Sequence, residues 1–107
     1  MFVYISGAIT NNENFKEEFE SAVEWLNRNN HNPINPARLN DILPNLTYEQ
    51  YMSIDYKLIE LSEAVYMLKG WQKSKGACAE LSYAKSLGKK IIYQKYFKEF
   101  RNVLHKA

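Results

Sequence analysis

Two acidic residues occupy helix positions that the hydrophobic pattern assigns to the protein core. Glu80 lies three residues after Ala77 and four before Ala84, on the apolar face of its helix. Asp55 has apolar residues three and four positions away on both sides. Burying a carboxylate costs several kcal/mol unless it is paired or hydrogen-bonded, so the two acids indicate a shared polar site. The alternative is that each acid lies at a helix flank and accepts hydrogen bonds from the backbone or from tyrosines.

A helix start near Glu80 gives a second indication of a binding site. Residues 74–77 read Ser-Lys-Gly-Ala, which combines a capping hydroxyl with a glycine at the beginning of a helical pattern. Such a start presents backbone N–H groups and the positive end of the helix dipole, where a phosphate can bind. On local grounds alone the simpler interpretation of Ser74 as an N-cap is favoured, because Ser-x-Gly is a weak motif.

The elements that position these residues alternate between strand and helix. Extended, apolar segments predict strands at residues 2–6, 32–36, 64–68 and 90–93. Helical spacing predicts helices from Asn12 until Asn29, from a cap at Thr47, from a cap at Ser74 to Gly88, and in the tail through Lys106.

This alternation predicts an α/β fold, a three-layer sandwich with a four- or five-stranded parallel sheet that is flavodoxin-like or Rossmann-like. In such sheets ligands bind outside the carboxyl ends of the strands. We therefore expect the loops after Ser6, Pro36 and Leu68 to lie together around a ligand.

Composition narrows the class of protein. A chain of 107 residues with 46% hydrophobic and 24% charged residues is expected to form a single domain, residues 1–107. It has no run long enough for a membrane span and opens directly into a strand-like segment, so we expect a cytoplasmic protein without membrane partners. Cys78 is the single cysteine, which excludes an intrachain disulfide and a cysteine-based metal site. A net charge of +2 is too small to indicate polynucleotide binding.

Five segments, in their order and spacing, resemble the nucleoside 2-deoxyribosyltransferase superfamily, in an uncharacterised phage and bacterial branch similar to the 2'-deoxynucleoside 5'-monophosphate N-glycosidases. The segments are residues 4–9 (YISGAI), 35–37 (NPA), 51–55 (YMSID), 64–68 (AVYML) and 71–80 (WQKSKGACAE). The resemblance extends from about Val3 to Ile92 and leaves out only the tail. It implies a flavodoxin-like fold, a homo-oligomer of two or more subunits, and chemistry at the N-glycosidic bond of a small nucleoside or nucleotide.

The same resemblance implies roles for three residues. Glu80 matches the nucleophile that attacks C1' of the sugar, and Asp55 matches the acid that protonates the departing base and then activates the acceptor. Tyr4 matches the tyrosine that orients the glutamate, although it can also be an aromatic filler of a buried strand. No metal or redox cofactor is expected, because two carboxylates can supply both covalent and acid–base catalysis.

The remaining candidate residues concern the ligand. Ser74 stands where nucleotide N-glycosidases have a phosphate-contacting serine, which favours a 5'-monophosphate. The other residues expected to contact substrate are Ser6, Gly7, Gly76, Trp71 and Asn35. Trp71 either stacks on a base or covers the core, and Asn35 is the weakest candidate. One departure from the family pattern is Glu63, which replaces the aspartate usual at the opening of the third strand.

Two functions remain open at this point. The first is hydrolysis or transfer at the N-glycosidic bond through a covalent glutamate intermediate. The alternative is a non-catalytic protein that keeps this pocket to bind a nucleotide or a nucleotide-derived signal. The short chain favours the alternative if it lacks a lid, whereas an aromatic tail from a neighbouring subunit could complete a catalytic site.

Overall fold

The sheet at the centre of the protein is four-stranded and fully parallel. The computed structural model of the chain describes residues 1–95. The strands are β1 (Phe2–Ser6), β2 (Asn32–Ile34), β3 (Ala64–Met67) and β4 (Lys90–Tyr93). Their order in the sheet is β2-β1-β3-β4, with every neighbouring pair parallel. The expected α/β fold is confirmed, with four strands rather than five in the described part of the chain.

Helices connect the strands and cover both faces of the sheet. They are α1 (Phe15–Arg28), α2 (Leu39–Ile42), α3 (Tyr48–Leu61) and α4 (Lys75–Ser86), with 3₁₀ turns at Pro36–Arg38 and Trp71–Lys73. Helix α1 packs on one face, while α3 and α4 pack on the other. None of these helices is long and apolar enough to cross a membrane.

Local sequence signals account for the beginning of α3 and for the end of α4. Thr47 Oγ1 accepts a hydrogen bond from the Gln50 N–H, and the Gln50 side chain accepts one from the Thr47 N–H, which forms a complete capping box. Helix α4 ends at Ser86, and Gly88 follows it with a φ of +73° that glycine easily adopts. The N–H of Lys89 then reaches back to the Ala84 carbonyl, closing a Schellman motif.

The strand period of two divides the core into two clusters. Val3 and Ile5 of β1 point towards α1, where they meet Phe19 and Leu26. Tyr4 points to the opposite face and joins the cluster formed with α3 and α4. The fold therefore has three layers, and β1 supplies side chains to both interfaces.

The start of α1, the end of β2 and the loop after β2 differ from the sequence-based expectation. Helix α1 begins at Phe15 instead of Asn12, because the Asn12 side chain donates to the Ala8 carbonyl and holds the chain in a turn. Strand β2 ends at Ile34, and the predicted loop up to Pro44 contains the short helix α2. The helix predicted in the tail lies outside the described residues beyond position 95. The single-domain organisation and the homo-oligomer stay predictions.

Candidate active site

The hydroxyl groups of Tyr4 and Ser6, both on β1, bind the carboxylate of Glu80. Because they are two residues apart on β1, both side chains project from the face of the sheet on which α4 packs. The Tyr4 hydroxyl donates to Glu80 Oε2 at 2.9 Å, and the Ser6 hydroxyl donates to Glu80 Oε1 at 2.7 Å. Each carboxylate oxygen therefore has one donor and retains a second lone pair.

Asp55 reaches the same site from α3. Its side chain is 9% exposed and that of Glu80 is 6% exposed, so both acids point inward as their spacing predicts. Within residues 1–95, Asp55 Oδ1 is buried and has no hydrogen-bond partner. A buried carboxylate oxygen without a partner is costly, which makes it a position where a ligand can restore a hydrogen bond.

Burial governs the ionisation of this cluster. It raises the pKa of Glu80 well above its usual range, and the neighbouring charge of Asp55 raises it further, against the lowering effect of the Ser6 and Tyr4 hydroxyls. Burial also raises the pKa of Asp55. The pKa of the Tyr4 phenol is raised well above its usual value by burial and then by Glu80, so the phenol remains a donor. The two acids together therefore retain a proton to higher pH than isolated carboxyl groups.

A cleft of about 640 Å³ opens onto these carboxylates at the carboxyl end of the sheet. Tyr4, Asp55 and Glu80 all line it. Its walls come from the loop after β1, from the region after β2, from the beginning of α3 and from the beginning of α4. This is the position predicted for a ligand in a parallel α/β sheet.

The beginning of α4 forms one wall of the cleft. Ser74 lines it and caps the helix, its Oγ accepting from the Ala77 N–H at 3.0 Å. The Ser74 O–H is still able to donate to a ligand. Gly76 also lines the cleft, and a Cβ there would lie 3.5 Å from Met52 Sδ. The glycine hydrogen therefore faces the space between α4 and α3.

The other four residues expected to contact substrate lie in different surroundings, and they are Ser6, Gly7, Trp71 and Asn35. Ser6 contacts Glu80 and does not line the cleft. Gly7 does line it, and a Cβ at Gly7 would lie 2.8 Å from the buried Leu68, so this position needs glycine for packing. Trp71 lies outside the cleft lining, and Asn35 does too.

The reasons are local. Trp71 packs on the core with its ring centroid 6.1 Å from that of Tyr93. Asn35 Oδ1 accepts from the Ala37 N–H at 3.0 Å and caps the following 3₁₀ turn. Glu63 lies at the opposite, amino end of the two central strands, where its carboxylate accepts from the Phe2 N–H at 3.0 Å.

Several cleft residues were not identified from the sequence. Lys73 and Lys75 flank Ser74 and give that wall positive charge, and Tyr48 lies opposite them at the first position of α3. Asn11, in the loop after β1, and Asn40, in α2, bring two amide groups to the cleft. The two lysines could have been noticed as neighbours of Ser74, whereas Tyr48 is brought in by packing between helices.

Nothing within residues 1–95 groups three or more His, Cys, Asp or Glu side chains in a way that could hold a metal ion. The chemical groups at the site are thus two buried carboxylates, two hydroxyls that donate to one of them, and a wall of positive charge. This set can support covalent attack by a carboxylate with acid–base assistance from the other.

Comparison with known proteins places the chain in a family. Residues 1–93 match the family described as a domain of unknown function, DUF4406. The chain belongs to the DUF4406 family. No curated protein matches it.

Solved structures show which fold this DUF4406 protein has. It superposes on a 2-deoxyribosyltransferase from Bacillus psychrosaccharolyticus with a TM-score of 0.69 at 19% identity, covering 87% of this chain and 71% of that one. For the CMP N-glycosidase BcmB of Clostridium botulinum the TM-score is 0.63 at 22% identity, with coverages of 87% and 67%. For a 2-deoxyribosyltransferase from Leishmania mexicana the TM-score is 0.66 at 18% identity, covering 86% of this chain and 62% of that one. The expected resemblance to the deoxyribosyltransferase superfamily is confirmed as a shared fold.

Proposed function

We propose that this protein hydrolyses or transfers the N-glycosidic bond of a 2'-deoxynucleoside 5'-monophosphate, or of the nucleoside, through a covalent intermediate on Glu80. The observation that carries the proposal is the pairing of Glu80, held by two hydroxyl donors, with Asp55, whose Oδ1 is buried and unpartnered in the described chain. Both acids line the same cleft. The solved structures of the same fold include enzymes named for this chemistry.

Each acid has one task in the first step. A lone pair of the Glu80 carboxylate attacks C1' of the sugar, the bond from C1' to the base breaks, and Asp55 delivers its proton to the departing base. This requires the shared proton to lie on Asp55. The hydrogen bonds from Tyr4 and Ser6 act towards that arrangement by lowering the pKa of Glu80, but burial and the charge of Asp55 raise it more and keep the proton on Glu80 in the free protein. The step therefore requires the proton to move from Glu80 to Asp55 when the substrate binds.

In the second step the roles reverse. The Asp55 carboxylate takes a proton from a water molecule or from an acceptor base, which attacks C1' and releases Glu80. The sugar returns with its original configuration after two displacements. Water as the acceptor gives hydrolysis, and a second base gives transfer.

The wall at the beginning of α4 supports a phosphorylated substrate. Ser74 has an available O–H, and Lys73 and Lys75 carry positive charge beside it. The start of a 12-residue helix adds its own positive dipole end. A 5'-phosphate bound there leaves the sugar to reach the carboxylates of Asp55 and Glu80.

The test is base release, followed by chromatography, from 2'-deoxynucleosides, their 5'-monophosphates and the corresponding ribonucleotides. The wild type should release base, and Glu80→Gln should lower the rate by at least about a thousandfold. Glu63→Gln is the matched control, since it removes an acid at the opposite, amino end of the sheet and should leave the rate unchanged.

Circular dichroism must show that all three proteins are folded. Absence of release by the folded wild type, even with an acceptor base added, would overturn the proposed chemistry. Nucleotide binding without release would instead support the alternative of a nucleotide-binding protein.

A further inference from the structure

One contact at the rim of the cleft has no part in the chemistry proposed above. The ammonium group of Lys75 lies 5.6 Å from the centroid of the Tyr48 ring. Lys75 is the first residue of α4 and Tyr48 is the first residue of α3. Both side chains are exposed and both line the cleft. The contact thus links the two helices that carry Glu80 and Asp55.

The Tyr48 ring lies over the first turn of α4. A Cβ built on Gly76 would lie 3.7 Å from the Tyr48 hydroxyl oxygen and 3.8 Å from Cε1 of its ring. Although Tyr48 is largely exposed, partial desolvation raises the pKa of its phenol, so it remains a hydrogen-bond donor. Tyr48 therefore occupies the side of the helix start from which a bound phosphate would be covered.

Lys75 is free to change partner. The ion pairs of the described residues are those of Lys16, Arg38 and Lys57, so within residues 1–95 no carboxylate neutralises Lys75. A cation–π contact at an exposed site is weak, whereas an ammonium group bound to a phosphate forms a charge-assisted hydrogen bond. A phosphate at the beginning of α4 would therefore draw Lys75 away from the ring.

A second observation indicates independently that this cleft takes a ligand. Asp55 is about nine-tenths buried, lines the cleft, and leaves Oδ1 without a hydrogen-bond partner among the residues described. The helix start, the lysine and the tyrosine thus border a cavity that already contains an unsatisfied polar group.

We propose that Lys75 and Tyr48 form a clamp that closes over the ligand when its phosphate group binds. Without phosphate, Lys75 lies on the ring of Tyr48 and occupies its face. With phosphate, Lys75 binds the phosphate oxygens and the released ring covers the ligand. The clamp deepens the proposed function, on which it rests for the position of the nucleotide, and it makes the site select phosphorylated over unphosphorylated ligands.

If the clamp exists, the effect of replacing Tyr48 on ligand affinity depends on whether Lys75 is present. Two residues that bind the ligand separately would not show this dependence. With Lys75 present, Tyr48→Leu should weaken binding of a 5'-monophosphate severalfold and leave nucleoside binding unchanged. In a Lys75→Gln background the ring is always uncovered, so Tyr48→Leu should weaken both ligands by the same factor. Lys75→Gln by itself should lower the affinity for the monophosphate about tenfold.

The experiment is calorimetric titration of the full chain with the four 2'-deoxynucleosides, their 5'-monophosphates and inorganic phosphate, at one ionic strength. Glu80→Gln serves as the background so that no ligand is consumed, and Asp55→Asn replaces it if Glu80→Gln does not fold. Lys57→Gln is the matched control, because it removes one surface lysine that pairs with Glu60, away from the cleft. Both clamp residues are exposed, so their substitution spares the core.

The outcomes separate the clamp from the proposed chemistry. Equal effects of Tyr48→Leu on nucleoside and monophosphate in both backgrounds would overturn the clamp, and so would an unchanged preference for phosphate in Lys75→Gln or a failure of every ligand to bind. Base release by the wild type together with any of these results leaves the proposed function intact. The predicted binding pattern without base release supports the clamp and overturns the chemistry.

Discussion

The two faces of the sheet use alternate residues of the same strand for different purposes. Towards α1, β1 presents Val3 and Ile5 to an apolar cluster. Towards α3 and α4 it presents Tyr4 and Ser6, whose hydroxyls bind the buried Glu80. Apolar burial stabilises the fold, whereas buried carboxylates destabilise it at neutral pH. The comparison teaches that the α1 face supplies stability and the opposite face holds groups suited to chemistry.

The largest expected effect tests the stabilising role of the α1 face. Leu26 is fully buried in that cluster and does not line the cleft. Leu26→Ala removes its contacts and leaves a cavity, so it should lower the free energy of unfolding by about 2–5 kcal/mol. Urea denaturation measures the loss, and ligand affinity of the remaining folded protein should be unchanged. A loss below about 1 kcal/mol would contradict the assignment of stability to this face.

The next effect concerns the hydroxyls on the opposite face. Tyr4→Phe and Ser6→Ala each remove one donor from Glu80, which destabilises its anion and raises its pKa further. If Glu80 acts as the nucleophile, the acidic limb of kcat/KM for base release should move to higher pH by about one unit in each variant. Ser53→Ala changes an exposed serine of α3 and is the control. A reduced rate with an unmoved acidic limb would indicate that the hydroxyls only support packing.

A smaller effect tests the cost of the buried acids. The folded-state pKa of Glu80 is raised, so the folded protein loses stability as pH increases from about 4, where the unfolded chain begins to ionise, through the folded-state pKa. Glu80→Gln removes this loss. At pH 7 it should therefore raise the free energy of unfolding by about 1 kcal/mol and the melting temperature by about 4–8 °C.

Below about pH 4 the two proteins should have similar stability, because the wild-type acid is then neutral in both states. Thermal unfolding, followed by circular dichroism at a series of pH values from about 3 to about 8, measures the difference in stability between the two proteins. Glu63→Gln, on an exposed acid, should show no such gain. A variant less stable than wild type at pH 7 would mean that the hydrogen bonds to Glu80 outweigh its burial.

The fold was largely predictable because its signals are local. The alternation of apolar strands and amphipathic helices determines a parallel α/β sheet, and Thr47 and Ser74 begin their helices as predicted. The inward positions of Asp55 and Glu80 follow from helical periodicity alone. These features depend on spacing within one element, which the sequence contains.

The detailed site depends on how elements pack, and this limited its prediction. Ser6 was expected to contact substrate, and in the structure its hydroxyl donates to Glu80, a contact between residues 74 positions apart that depends on how α4 packs on β1. For Trp71 the sequence left stacking on a base and covering the core both open, and the structure packs its ring against the core near Tyr93. Tyr48 was not identified as a cleft residue, because only the packing of α3 against α4 places it beside Lys75.

The smallest effect separates structure from binding within the face that carries Asp55 and Glu80. Thr47 and Ser74 both cap their helices through a side-chain oxygen that accepts a backbone N–H. Thr47→Ala and Ser74→Ala should each lower the free energy of unfolding by about 1 kcal/mol. Because Ser74 lines the cleft and Thr47 does not, Ser74→Ala alone should weaken binding of a 5'-monophosphate relative to its nucleoside. Equal losses of that preference in both variants would mean that Ser74 acts through the stability of α4 rather than through its hydroxyl.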